Sequence, residues 1–365
     1  MILVVGVLSA AAAAGFAVYS VKQPAGGDTT LVVEVQHGAR LRPVLFELHR
    51  AHLVRHPYWT YLWARATGHT RVTSGTYKLS SSQAPVELLT MLAEGRVSLE
   101  RVTIAEGLNR WQVRELLVAQ GWMSKLQFDT LCDDAALQRQ HKVPGPTCEG
   151  YLYPETYTFA RGVAPRDMFA NMYDAYRLQV QRAMARSQAP MALDERQFTT
   201  LASIVEKETG AAKERPRIAC IFYNRMKATP PWRLETDPTV IYAATLADPK
   251  FDGNIKRYHL HELDSPYNTY RVTGLPPGPI ANPGAGALQA VAQPMACADY
   301  FFVSKNHGEH VFCPTLKCHQ KAVKTWQVEY FKKNKAGAAK PLAADPPGGE
   351  RGARGRRRRP ARAAD

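Results

Sequence analysis

The chain has 365 residues, of which 45% are apolar, with 47 Lys and Arg against 32 Asp and Glu. That is enough chain and enough apolar surface for two or three domains with a real core, and it argues against a polypeptide too short or too polar to fold. The formal charge of +15 is uneven, because residues 351–365 alone hold seven arginines and one acid. The remaining body is moderately basic, which suits an acidic polymer, an anionic membrane surface or nucleic acid without choosing among them.

Residues 2–19 carry no charge, and Lys22 is the first charged residue. An apolar run of this length can span a bilayer, so residues 1–22 are expected to be a membrane anchor. The alternative is a cleaved signal peptide, with the small residues Ser9 to Ala14 offering a cleavage site. No cysteine follows the run closely, which argues against lipid attachment. An exported body makes disulfides possible. Cys132 with Cys148, and Cys313 with Cys318 or Cys297, are the pairs to test, whereas Cys220, in the apolar run IACIFYNR, reads as a buried free thiol. The six cysteines include no CxxC pair, so no zinc site is expected, and no motif implies a metal or an organic cofactor.

Residues 23–29 read as a linker. LVVEV (31–35) has strand character, residues 37–56 have helical spacing, TSGTYKLSSS (73–82) is a glycine turn into a strand, and residues 84–96 form a helix stopped by Gly95. This β-α-α-β-like unit over 30–100 resembles LysM-type glycan-binding modules; a plain packing domain is the other reading. Residues 102–122 give a strand, a Glu-Gly turn and a helix. CEGYLYPETYTF (148–159) interleaves tyrosines with Glu149 and Glu155, and serves equally as a sugar-stacking surface or as an aromatic corner of the core.

A surface helix is expected over 164–190, followed by LASIVEKETG (201–210). There Phe198, Leu201, Ala202 and Val205 form an apolar stripe with Glu206 at its edge. Glu208 lies about 200° round the helix from Glu206, so only one of the two can face a given substrate. Desolvation at an apolar edge raises a carboxyl pKa, and a protonated carboxyl can donate to a glycosidic oxygen. The plain alternative is a solvated glutamate. Next comes the helix KERPRIACIFYNRM with Pro216 in its first turn, then TDPTVIYAA (236–244), where Asp237 reads as an N-cap. Residues 265–284, SPYNTYRVTGLPPGPIANPG, are too rich in Pro and Gly for regular structure, and a loop this long is usually functional. A hairpin over 299–315, an amphipathic helix over 319–333 and a disordered Arg-rich tail from 336 complete the chain.

EGYLYPETYTF, LASIVEKETG with the following ER and FYNR, RLETDPTVIY, SPYNTY and GLPPGPIANPG fall in an order that resembles the MltG/YceG-like endolytic murein transglycosylases, over roughly residues 30–333. Glu235 departs from the glutamine usual in that family before the TDP motif, and neither the Arg-rich tail nor most of the cysteines belong to the family pattern. The resemblance implies an α+β protein: anchor (1–22), LysM-like subdomain (30–100), mixed α+β catalytic domain (101–335) and tail (336–365). It implies cleavage of the MurNAc–GlcNAc β-1,4 bond in nascent glycan strands, leaving a 1,6-anhydro end, with Glu206 as the catalytic acid. Asn224, Arg225, Asp237, Tyr267, Asn268 and Tyr270 become candidates for binding the sugars. The implied partners are peptidoglycan strands, the inner membrane through the N-terminal helix, and peptidoglycan synthases; nucleic acid is not expected. Two other functions stay open: a hydrolytic muramidase with a second carboxylate (Glu149, Glu155, Glu235 or Asp237), and a tethered glycan-binding protein without turnover.

Overall fold

The computed structural model describes residues 2–330 and residue 332. The Arg-rich tail (336–365) lies outside the described residues.

The first helix, α1 (Ile2–Lys22), leads into a small unit built from β1 (Thr30–Val35), α2 (Leu41–Arg50), α3 (Pro57–Thr67), β2 (Gly75–Ser80) and α4 (Pro85–Glu94). The two strands and the helices α2 and α4 fall where the sequence placed them, whereas α3 was not expected, and the full order is β-α-α-β-α. β1 and β2 pair antiparallel, with Val33 opposite Tyr77. The apolar spacing of α2 puts Leu41, Val44, Leu45 and Leu48 on one face, and they bury against Tyr77, Leu79, Leu88 and Leu92. Each such leucine contributes roughly 1.5–3 kcal/mol of burial free energy. Gly95 stops α4 in the left-handed conformation that glycine adopts without strain (φ 68°).

The expected anchor over residues 1–22 is not supported. Among the described residues no helix is long and apolar enough to cross a membrane. The second half of α1 instead packs on α3 and α4: Ala17, Ser20 and Val21 are buried, and the Phe16 ring meets Trp59 and His56 at 5.4 Å each. Val4, Val5 and Leu8, further from this contact, stay exposed.

The larger body begins with β3 (Leu99–Thr103), then α5 (Arg110–Ala119), α6 (Lys125–Cys132) and α7 (Ala135–Gln140). β4 (Thr156–Ala160) pairs antiparallel with β3. Three long helices follow, α8 (Pro165–Ala185), α9 (Glu195–Glu208) and α10 (Arg215–Lys227), and then α11 (Asp237–Ala247) and α12 (Arg257–His261). Residues 265–284 are irregular, as expected, and deliver the chain to α13 (Ala285–Ala292), which packs against α8, α9 and α10. β5 (Phe301–Ser304) and β6 (His310–Cys313) form the expected hairpin, and α14 (Leu316–Val323) continues into a π-helical turn at Lys324–Glu329. The architecture is mixed α+β with three two-stranded sheets among the described residues.

Tyr151 and Tyr153 are both buried in the main core, so the EGYLYP stretch is an aromatic corner. Three disulfides, Cys132–Cys148, Cys220–Cys297 and Cys313–Cys318, staple the body, and none of the six cysteines is free. Cys220 is therefore not the free thiol its apolar neighbours suggested. It faces the 297–299 segment, which Asn224 also holds through the carbonyls of Cys297 and Asp299 (3.1 and 2.9 Å).

Candidate active site

Glu206 stands in the last turn of α9. The helix starts at a capping box: Asp194 accepts from Gln197 N (2.8 Å), and the Gln197 side chain accepts from Asp194 N (3.0 Å). The predicted stripe of Phe198, Leu201, Ala202 and Val205 is buried, and Ser203 donates its hydroxyl within the helix while accepting from Ile280 N at 3.1 Å. This holds the 278–284 segment against α9.

Three helix ends meet at the Glu206 carboxylate. It lies at the C-terminal end of its own helix, where the helix dipole disfavours negative charge. Gly284, which caps the start of α13, donates its N–H to Oε2 at 3.1 Å. Arg215, the first residue of α10, donates Nη2 to Oε1 at 2.5 Å. The side chain is only 5% exposed. Burial is the largest influence on its pKa and raises it; the Gly284 N–H and Arg215 pull the other way, and the nearby Glu106 carboxylate adds to the rise.

Glu106 comes from the loop between β3 and α5. Its Oε2 lies 3.6 Å from Arg215 Nη1, and about half of its side chain is open to solvent. A Cβ on Gly284 would fall 1.9 Å from Glu106 Oε1, so only glycine lets this carboxylate lie over the start of α13. The loop is fixed from two sides. Lys207 Nζ donates to Gly107 O (3.1 Å), and Asn282 O accepts from Gly107 N (2.9 Å). The buried Asn282 side chain also donates to Leu108 O (2.8 Å) and accepts from Leu152 N (2.9 Å). The sequence reading missed Glu106. Its signal was the Glu-Gly turn after a strand, with Gly107 at φ 74° and its would-be Cβ 3.5 Å from Glu206 Cγ.

The profile of the YceG-like family matches residues 33–325, and so spans this whole arrangement. The chain belongs to the YceG-like family. An endolytic murein transglycosylase of Bacillus subtilis is 29% identical over 315 residues, covering 80% of this chain and 84% of that protein. One from Streptococcus pneumoniae R6 is 26% identical over 330 residues, and there the alignment covers 58% of the longer relative. The crystal structure of a YceG-like protein from Listeria monocytogenes superposes with a TM-score of 0.54 at 28% identity, covering 81% of this chain and 99% of that one.

The other candidates of this YceG-like chain fall into three places. Asn224 and Arg225 brace α10: buried Arg225 donates to Tyr300 O (2.9 Å) and Leu234 O (2.5 Å), and burial lowers its pKa. Asn268 is fully enclosed and ties together the carbonyls of His259, Leu260 and Leu263 while accepting from Tyr270 N. Asp237 is inside α11 rather than its N-cap. Thr236 occupies the cap position but spends its hydroxyl on Glu208, and the Asp237 carboxylate accepts from Tyr270 OH at 2.6 Å. Tyr267 packs its ring against that of Tyr242 in a tilted contact, 4.9 Å between centroids.

The structure thus links Asp237 to Tyr270, and places Glu208 with Thr236, on a different side of α9 from Glu206's partners. Of the four second carboxylates named from sequence, none bonds to Glu206 or Arg215 among the described residues. Glu149 is buried over the start of α5, where both oxygens accept from Arg110 N (3.2 Å each) and one also accepts from Tyr242 OH (3.2 Å). Glu155 and Glu235 are exposed. Among the described residues no group of His, Cys, Asp and Glu side chains could hold a metal ion.

Proposed function

We propose that this chain is an endolytic peptidoglycan lytic transglycosylase that cuts the MurNAc–GlcNAc β-1,4 bond in nascent strands and leaves a 1,6-anhydro-MurNAc end. The observation that carries this reading is the setting of Glu206: a nearly enclosed carboxyl with raised pKa, gripped by one backbone N–H and one guanidinium. Its relatives' names give the substrate and reaction class. A single group must here be an acid and then a base, so its two forms need to be close in free energy. Burial and the helix end favour the neutral acid; Gly284 N–H and Arg215 stabilise the carboxylate. In the first step Glu206 gives its proton to the glycosidic oxygen, and the C1–O bond breaks with its electrons going to that oxygen. In the second, the carboxylate takes the proton of the MurNAc C6 hydroxyl while that oxygen bonds to C1. No water is consumed. The positive charge on the sugar between the steps requires polar stabilisation from the site or from the substrate's N-acetyl group.

A hydrolytic muramidase is the second reading, and Glu106 is the observation that favours it. Glu106 is a partly solvated carboxylate beside the acid, in the position from which a base could activate water. The small unit over 30–100 serves in this account as a LysM-like glycan-binding subdomain beside a catalytic domain at 101–335. The three disulfides support an oxidising compartment outside the cytoplasm, at the face of the inner membrane where strands are made and where synthases would be partners. Mass spectrometry of fragments from intact peptidoglycan tests the proposal. Fragments one water lighter than hydrolysis products, absent with Glu206→Gln, are expected. Reducing-end fragments that vanish with Glu106→Gln would establish the hydrolase instead.

A further inference from the structure

Away from the Glu206 carboxylate, a cavity of about 110 Å³ lies between the start of α5, the start of α9, α11 and the Gly278–Pro279 turn. Its lining is unusual for so small a space. Tyr151 is 1% exposed, and its hydroxyl has no hydrogen-bond partner. Arg196 Nε and Arg110 Nε, on two other walls, are likewise buried and unpartnered. Leaving a buried donor unpaired costs about 1–3 kcal/mol, more for a charged group. Three such donors around one cavity are therefore a strong indication that something fills it.

The remaining walls define what fits. Tyr267 and Tyr242 supply an apolar face, with Trp111 continuing it behind Tyr242 (5.4 Å). A Cβ on Gly278 would lie 3.3 Å from the Tyr267 hydroxyl and 3.8 Å from Arg196 Nη2, so the glycine gives those two groups room to come together. Glu149 is the one acidic group of the lining. Both its oxygens are already engaged by Arg110 N and Tyr242 OH, and burial raises its pKa to about 7, so below neutrality it is mostly uncharged and does not repel an anion. The Arg110 guanidinium is already turned to Trp111 and Asp133, which leaves the Arg196 guanidinium and the Tyr151 phenol as donors; with the aromatic rings they match a carboxylate carried on a small apolar stem.

We infer that this cavity binds a small carboxylate, with Arg196 and the Tyr151 hydroxyl as its donors and the Tyr242–Tyr267 ring pair against its apolar side. The site stands apart from the Glu206 carboxylate and does not depend on the reaction assigned to it. The carboxylate has two sources with the same chemistry, a free small acid or the end of a peptide chain.

Calorimetric titration of the full chain with acetate, N-acetylalanine and N-acetylalanine amide, in the absence of glycan, tests this. Saturable binding of the acids is expected, on the order of millimolar for so few atoms. The amide should bind at least about tenfold more weakly, because the guanidinium loses its charged partner. Tyr151→Phe and Arg196→Gln should each weaken acid binding about tenfold by the same argument. Tyr151→Phe keeps the ring packing, and thermal melting of both variants separates lost binding from lost fold. N-acetylalanine bound much more tightly than acetate identifies a chain end; equal affinities identify a free acid. No saturable binding of either acid, equal binding of acid and amide, or unchanged affinity in folded Tyr151→Phe and Arg196→Gln would each overturn the assignment, as would inorganic phosphate binding in place of the acids.

Discussion

Glu206 and Glu106 grip the same arginine: Arg215 reaches Glu206 through Nη2 at 2.5 Å and faces Glu106 through Nη1 at 3.6 Å. The cation is therefore divided between a buried carboxylate and a partly solvated one. Glu106 also sits close enough to raise the Glu206 pKa by like-charge repulsion.

Replacing Glu106 with Gln removes that negative charge and leaves Arg215 to Glu206 alone. Both changes favour the Glu206 carboxylate, so its pKa falls. The proton-donating form is then lost at lower pH, and the alkaline limb of the pH–rate profile moves toward acid. The profile of Glu106→Gln against the parent protein, measured on isolated glycan strands, checks this; an unmoved limb would show that Glu106 does not set the acid's pKa.

Glu206→Gln removes the only group that can both give and take the proton in the proposed reaction. Loss of general acid–base catalysis costs roughly 10²–10⁴ in rate, and one group serving two steps puts the expected loss at the high end. Gln keeps the size of the side chain and one acceptor oxygen, so it holds either Arg215 Nη2 or Gly284 N and turns its NH2 toward the other donor; the melting temperature should fall modestly while the fold is kept. A folded variant with near-normal cutting would refute the assignment.

Gly284→Ala tests the placement of Glu106 while leaving both carboxylates in the sequence. The new methyl would displace the Glu106 side chain, whose Cδ is 2.0 Å from the Cβ position. The protein should fold, because the clash is with the end of a flexible side chain, and its pH profile should shift in the same direction as that of Glu106→Gln. A fold lost to this one methyl would mean that the start of α13 cannot yield at all.

Buried Glu149 and Glu208 are each pushed up to about 7 from an ordinary value of 4.5. Each binds more protons folded than unfolded between those values, so the stability they contribute is complete below pH 4.5 and is lost as pH rises through about 7. The difference corresponds to about 3 kcal/mol for a full shift of that size. Urea unfolding at pH 5.5 and pH 8 should show this fall, and Glu149→Gln, whose one amide oxygen in the place of Oε2 can accept from both Arg110 N and Tyr242 OH, should flatten it. An identical slope in the variant would remove Glu149 from the account.

The Cys220–Cys297 disulfide closes a loop of 77 residues. The chain-entropy argument gives about 4.5 kcal/mol for a loop that long. The Cys220→Ala/Cys297→Ala protein should melt well below the parent, with the 297–299 segment, still tied to α10 by Asn224, exchanging its amide hydrogens faster. Equal melting temperatures would show that Asn224 and the Arg217–Asp299 ion pair (2.7 Å) hold the segment unaided.

The elements with strong local signals were legible. The α9 stripe, the capped and glycine-stopped helices, the two strands with α2 and α4 of the small unit and the terminal hairpin follow from spacing and turn residues. α3, α6, α7, α12 and α13 were not read. α13 is eight residues with Gly286 inside it, and it exists because α8, α9 and α10 enclose it. The same limit applies at the site. Glu206 stood out by its apolar setting and family motif, whereas Glu106 is about 100 residues away and reaches Arg215 only through the fold. Asn224, Arg225 and Asn268 looked like ligand groups because their amides and guanidinium are polar; enclosure turned those same groups toward backbone carbonyls. α1 shows the converse, an apolar run whose second half the neighbouring unit claims.

Asn282 joins two stretches that each carry part of the site. Its backbone and side chain hold Gly107 and Leu108 on one side and Leu152 on the other, two positions before Gly284 meets Glu206. Neither stretch can shift without breaking the bonds it shares with the other. The loop that carries Glu106 and the segment that carries Gly284 are therefore locked to one another like two plates on one rivet, so the carboxylate and the N–H that act on Glu206 in opposite senses keep a single spacing.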